Sequence, residues 1–142
     1  MLKDISKELD NIHYNAGYIH ADFHSSNILQ DQYTIQSYIA DLGLSRKINE
    51  NVSGGEIYGV MPYVAPEVLS GEQQFTKAAD IYGFGIIMAE MSTGQRPFDG
   101  RKFNAKLGAD ICRGERPKFA SETPKCYIEL ANQCRSRSIK TT

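Results

Sequence analysis

Three polar residues have the types and spacing for phosphate chemistry. Asp22 and Asn27 stand five positions apart in Tyr18-Ile-His-Ala-Asp-Phe-His-Ser-Ser-Asn-Ile-Leu29, and Asp41 follows in Ile39-Ala-Asp-Leu-Gly43. Asn27 and Asp41 offer hard oxygen donors. These suit Mg²⁺, which takes one or two protein oxygens and completes its shell with water and substrate phosphates. Asp22 is then free to orient or deprotonate a hydroxyl nucleophile. Phosphoryl transfer asks little more of side chains than positioning and charge neutralisation.

Short apolar stretches must hold these groups in place. Tyr18–His20, Asn27–Leu29 and Ile35–Ala40 read as short strands, with a turn at Gln30-Asp31-Gln32. Upstream, Leu2, Ile5, Leu9 and Ile12 recur at three, four and three, one face of a helix that Gly17 caps. His13 follows that face and reads as a structural histidine. Periodicity is lost over 44–62, where Ser53-Gly54-Gly55 forms a tip. A loop of that length within a compact domain is usually functional. From Thr76 the pattern turns helical through Ile81, Phe84, Ile87, Met88 and Met91, apolar nearly all round and closed by Gly94. This predicts a buried hub helix. A more polar helix spans Asn104–Arg113, ended by Gly114. A last one opens at Thr123-Pro124, read as an N-cap followed by Pro at the first helical position, and runs to about Cys134.

Composition narrows the class. The 142 residues suffice for one domain with a core. A net charge of −1 carries no electrostatic footprint for nucleic acid, and the basic Arg135, Arg137 and Lys140 are confined to the tail. Cys112, Cys126 and Cys134 lack the pairing of a disulfide framework or zinc site. The longest apolar run, Ile86–Ala89, is too short for a bilayer, so no membrane partner is expected. The charged, amphipathic N-terminal stretch does not read as a signal peptide, and the expected location is cytoplasmic.

Two further motifs set the polar residues in context. Ala65-Pro66-Glu67 stands at the end of the long loop, and Asp80-Ile-Tyr-Gly-Phe-Gly85 opens the hub helix. With His20-Ala21-Asp22…Asn27 and Asp41-Leu42-Gly43, the set resembles the protein kinase family, in order and in spacing. The resemblance covers roughly residues 1–134 and leaves 135–142 as a divergent tail. It implies a mainly α, protein-kinase-like fold with a few short β-strands, seen here as the large, C-terminal lobe without the small lobe. It implies ATP-dependent phosphoryl transfer to protein Ser/Thr or Tyr hydroxyls, with ATP and Mg²⁺ as cofactors and a protein substrate as partner. Asp22 resembles the catalytic base and, with Asn27, makes the catalytic pair. Asn27 and Asp41 resemble the metal ligands. Leu29, Asn27, Asp41 and His24 resemble nucleotide-site residues, with Leu29 packed under adenine above Ile87 and Met91. His20 and Leu42 resemble the lower half of a stacked column between lobes, and Asp80 resembles the group that bonds the backbone near His20. A metal site built on His20-x-Asp22-x-His24 is the lesser reading, because His20 has a packing role in the family.

The sequence also departs from the family pattern. No Gly-x-Gly-x-x-Gly loop and no Val-Ala-x-Lys strand precede the catalytic loop. The Arg that would pair with Glu67 falls near Thr142, leaving Arg135 or Arg137 as substitutes. Ala21 replaces the Arg that senses a phosphorylated loop, so control through Ser45, Ser53 or Tyr58 is not expected. His24 stands where Ser/Thr kinases carry Lys. The expectation is an enzyme family member that is inactive as this truncated chain. The alternatives are a non-catalytic, pseudokinase-like module that associates through its exposed cleft floor, or an incomplete gene model.

Overall fold

The computed structural model describes residues 1–48 and 59–136. The expected tip Ser53-Gly54-Gly55, Tyr58, Arg137 and Thr142 lie outside the described residues. Five α-helices carry the described chain, joined by two small antiparallel sheets.

Helix α1, Leu2–Asp10, runs on into a π-turn, Asn11–Asn15. Its buried Ile5 and Leu9 are two members of the expected apolar face. They pack with Phe23 and Ile87 in one cluster. Each such side chain contributes roughly 1.5–3 kcal/mol of burial. The acids of α1 do a second job. Asp4 Oδ2 accepts from Ser37 N at 3.2 Å and Glu8 Oε2 accepts from Ile39 N. Two carboxylates one turn apart on a helix thus satisfy alternate N–H groups of a strand that, among the described residues, has no further strand on that side.

That strand is β3, Ser37–Ile39, paired with β2, Ile28–Gln30, so that Leu29 faces Tyr38. Strand β3 is shorter than the sequence reading, and β2 keeps its length but starts one residue later. Asn27 closes a 3₁₀ turn, Ser25–Asn27, and the strand starts only at Ile28. Ile35 sits at φ +58°, outside the extended region. The connection is therefore Asp31–Gln36 and not Gln30–Gln32. Asp31 Oδ1 builds it by accepting from Tyr33 N at 2.7 Å and Thr34 N at 3.1 Å, an Asx turn. These bonds hold the Asp31 carboxyl below its ordinary range.

The second sheet pairs β1, Tyr18–Ile19, with β4, Arg46–Lys47. Strand β4 has no apolar alternation and was not legible from the pattern. Helix α2, Pro66–Leu69, follows the long loop directly and was also not foreseen.

Helix α3, Lys77–Thr93, is the hub. Thr76 Oγ1 caps it by accepting from Ala79 N at 3.2 Å, and Gly94 closes it at φ +67°. Ala79, Asp80, Tyr82, Gly83, Gly85, Ile86, Ile87, Met88 and Ala89 are buried, which covers most of its circumference. Gly85 allows α5 to approach: a Cβ there would lie 2.9 Å from Ala131 O and from Cys134 Cβ. Helix α4, Ala105–Cys112, is one residue shorter at each end than the sequence reading, and Asn104 caps it, with Leu107 N donating to Asn104 Oδ1 at 3.1 Å. Helix α5, Lys125–Cys134, starts later than the sequence reading. Thr123 Oγ1 turns back to donate to Ala120 O at 2.7 Å, so Pro124 takes the N-cap position.

Candidate functional site

The loop from His20 to Asn27 is shaped by two kinds of bond. The first kind comes from the hub. Asp80, 2% exposed, accepts from His20 N at 2.8 Å and from Ala21 N at 3.0 Å. Its Oδ2 also meets His13 Nε2 at 2.8 Å. A buried carboxylate needs such partners to offset its desolvation. Ala21 is thereby held at φ +66°, a strained backbone next to the candidate site.

The second kind comes from His20 itself, which is fully buried. Its Nε2 lies 2.9 Å from Ala40 O, and its Nδ1 accepts from Asp22 N at 3.2 Å. With Nδ1 accepting, Nε2 is left as the donor to Ala40 O. Ala40 N in turn donates to Asn27 O at 2.7 Å. One residue, Ala40, thus ties the segment that carries Asp41 to both His20 and Asn27. Because both its ring nitrogens are used within the protein, His20 is not placed as a metal ligand.

Asp22, His24 and Asn27 form one cluster. Asn27 Nδ2 donates to Asp22 O at 2.7 Å and approaches Asp22 Oδ2 at 3.4 Å and His24 Nε2 at 3.2 Å. His24 Nε2 lies 3.3 Å from Asp22 Oδ1. The amide nitrogen of Asn27 therefore faces inward, and its oxygen is turned away from these partners as a hard donor. Asp41 sits at φ +58° and is exposed, with Oδ1 accepting from Gly43 N at 3.3 Å. Asn27 Oδ1 and the Asp41 carboxylate are the groups that could hold Mg²⁺. Among the described residues no three His, Cys, Asp or Glu side chains converge on one point. A metal held by one carboxylate, one amide oxygen and substrate phosphates does not require that.

Two expectations need correction. Ile28, not Leu29, packs against the cluster that holds Ile87. Side chains alternate along a strand, so Leu29 takes the opposite face and is 57% exposed. Leu42 is equally exposed, and the His20 ring meets Phe23 edge-on at 6.0 Å. Arg135 does not reach Glu67. Its guanidinium donates to Pro117 O and Asn132 Oδ1 and lies over the Phe119 ring. Glu67 is 1% exposed, and its Oε2 has no hydrogen-bond partner among the described residues.

The structure also adds residues that the sequence reading missed. Ser25 Oγ donates to Glu90 Oε1 at 3.0 Å, and Tyr63 OH donates to Glu90 Oε2 at 2.7 Å. The two hydroxyls are 3.0 Å apart. The Tyr63 ring lies 5.8 Å from that of His24. Burial, reinforced by the Glu90 carboxylate and partly offset by Ser25, pushes the Tyr63 phenol far above its usual range. His13, read from the sequence as a structural histidine, is buried four after Leu9 on the same helix face.

The sequence profile of the protein kinase domain matches residues 1–140. An Acanthamoeba polyphaga mimivirus protein named as a serine/threonine-protein kinase/receptor is 39% identical over 116 residues, 82% of this chain and 7% of that protein. A Dictyostelium discoideum protein named as a serine/threonine-protein kinase is 31% identical over 128 residues, 89% of this chain and 8% of that protein. Calcium/calmodulin-regulated receptor-like kinase 1 of Arabidopsis thaliana is 38% identical over 108 residues, 75% of this chain and 24% of that protein. The chain thus spans only a small part of the length of the curated relatives it matches.

Proposed function

Because this chain belongs to the protein kinase domain family, a family of phosphotransferases, we propose that it supplies the large-lobe half of a site that transfers the γ-phosphoryl group of ATP to a Ser/Thr hydroxyl of a protein. Asp22 is the base that orients the hydroxyl and accepts its proton. Asn27 Oδ1 and Asp41 hold Mg²⁺, which when bound neutralises charge on the nucleotide phosphates. His24 stands beside both Asp22 and Asn27 and faces the nucleotide with them. Leu29, exposed on the cleft face of β2, forms an apolar floor for adenine. Serine and threonine are favoured over tyrosine by the names of the relatives.

The observation that carries this reading is the inward clasp of Asn27 Nδ2, which donates to the Asp22 main-chain carbonyl at 2.7 Å and approaches its carboxylate at 3.4 Å. It fixes the base and leaves the amide oxygen free in one arrangement. The test is transfer of labelled phosphate from ATP to protein acceptors by the protein as its gene encodes it, beside Asp22→Asn. Loss of about 10²–10⁴-fold in Asp22→Asn is expected for removal of a general base. Transfer untouched by the substitution overturns the assignment. The 142 residues alone carry no Gly-rich loop or phosphate-binding Lys strand. Each missing charge-stabilising donor is worth about 2.7–4 kcal/mol, so these residues by themselves are expected to turn over very little ATP.

A second reading is favoured by the cleft floor. Leu29 and Leu42 are each 57% exposed, and exposed apolar groups promote association. As an isolated lobe the chain then acts as an interaction module. Concentration-independent monomeric behaviour on size-exclusion chromatography counts against that reading.

A further inference from the structure

Helix α3 grips the catalytic loop at two points, not one. Asp80 near its start holds His20 N and Ala21 N. Ten residues on, at a rise of about 15 Å, Glu90 holds Ser25 Oγ at 3.0 Å. Between the two grips the helix touches the loop directly, since a Cβ on Gly83 would lie 2.7 Å from Phe23 O. Asp22 is therefore suspended between two carboxylates of a single rigid element. The second grip also takes in the segment before α2, because Tyr63 OH donates to the other Glu90 oxygen at 2.7 Å.

From this we infer that Ser25 and Glu90 are positioning residues for Asp22, a second mount that sets the register of the loop on α3 and joins it through Tyr63 to the segment that leads into α2. The inference rests on the phosphoryl-transfer reading above. Its chemistry is a count of protons. Ser25 and Tyr63 each own one hydroxyl hydrogen, and an ionised Glu90 draws both. Their 3.0 Å approach follows from the shared acceptor. Without the Ser25 hydroxyl, Glu90 Oε1 loses its donor in a half-buried place, and the loop is free to lift from the helix at the Asn27 end. A displacement of that kind, with the reacting groups still present, lowers turnover and not binding.

The test uses the protein as its gene encodes it, with Ser25→Ala, Ser25→Thr and Glu90→Gln, assayed against two acceptor peptides, one with a basic residue near the acceptor and one without. Ser25→Ala and Glu90→Gln are expected to lower kcat about ten- to a hundredfold on both peptides, with KM for ATP and peptide changed less than about twofold. Ser25→Thr, which keeps the hydroxyl, is expected to restore most of the loss. An unchanged kcat in Ser25→Ala overturns the inference. So does a rise in KM confined to the basic peptide, which assigns Glu90 to peptide recognition. If the wild-type protein transfers no phosphate, the functional reading falls, and the mount is then decided by thermal melting of Ser25→Ala, Glu90→Gln and the double variant. Non-additive losses support it, and additive losses overturn it.

Discussion

The Asp80 carboxylate accepts the backbone N–H of His20 at 2.8 Å across sixty residues of sequence. It accepts Ala21 N and meets His13 Nε2 as well. Two of these three bonds join the hub to the loop and the third joins it to the turn after α1, and hydrogen bonds to charged groups are worth about 1.5–3 kcal/mol each. Asp80→Asn keeps the shape but turns an N–H₂ toward groups that need an acceptor. Chemical denaturation is expected to show a loss of about 3 kcal/mol or more. His13→Ala leaves both backbone bonds in place, and a loss of only about 1–2 kcal/mol is expected. Equal losses in the two variants count against the backbone bonds as the main term.

Two glycines of α3 separate stability from activity. Alanine is favoured over glycine in a helix by up to about 1 kcal/mol, so Gly→Ala stabilises where there is room. At Gly85 there is none: the new Cβ meets Ala131 O, Cys134 Cβ and Arg135 Cβ within 3.1 Å. Overpacking of that kind costs about 1–3 kcal/mol, and Gly85→Ala is expected to lower Tm. At Gly83 the obstacle is Phe23 O at 2.7 Å, backbone next to Asp22. There the loop gives way, and Gly83→Ala is expected to reduce kcat about ten- to a hundredfold. Its Tm should fall less than that of Gly85→Ala. Unchanged turnover in a folded Gly83→Ala protein rules out this coupling.

Glu67 presents a buried carboxylate with Oε2 unpartnered among the described residues. Leaving such a group unpaired costs about 1–3 kcal/mol or more. Glu67→Gln removes the charge while preserving shape, and a rise in Tm of roughly 3–10 °C is expected for a chain of this size. A fall in Tm assigns Glu67 a cationic partner outside the described residues.

What the sequence made legible was the part governed by long periodic patterns and fixed motifs. The hub helix, its Thr76 start and its Gly94 stop follow from apolar spacing and from cap residue types, and the link from Asp80 to the His20 backbone was implied by the motif resemblance. Strand β4 was not legible, because Arg46–Lys47 is two residues long and owes its pairing to Tyr18–Ile19 alone. Leu29 was paired with Ile87 because a motif position says nothing of strand parity, and a register error of one residue exchanges the faces of Ile28 and Leu29. The Ser25, Tyr63 and Glu90 cluster joins three separate segments through hydroxyls with no spacing rule. Only coordinates reveal it.

Tyr82 stands where the family motif carries Trp, and the exchange leaves a hydroxyl in the core. The residue is 1% exposed, and its OH has no hydrogen-bond partner among the described residues. Burial pushes the phenol up to about 12, offset in part by Arg116, whose guanidinium lies 5.2 Å from the ring centroid, and by Arg135. Below about pH 10, the ordinary phenol value, both folded and unfolded chains keep the proton, and stability is undiminished. Between pH 10 and about 12 the unfolded chain releases it and the folded one does not. Stability then falls by about 1.4 kcal/mol per pH unit from this group, and the loss is complete once the folded phenol ionises too. Burial also raises Tyr63 and Tyr127, so the wild-type slope contains all three. The difference between wild type and Tyr82→Phe isolates one. At neutral pH, Tyr82→Phe removes an unpaired buried hydroxyl and is expected to match or exceed wild type in Tm. Above pH 10 its denaturation midpoint should fall more slowly than that of wild type. Parallel curves for the two proteins from pH 9 to 12 mean that Tyr82 ionises as freely when folded as when unfolded.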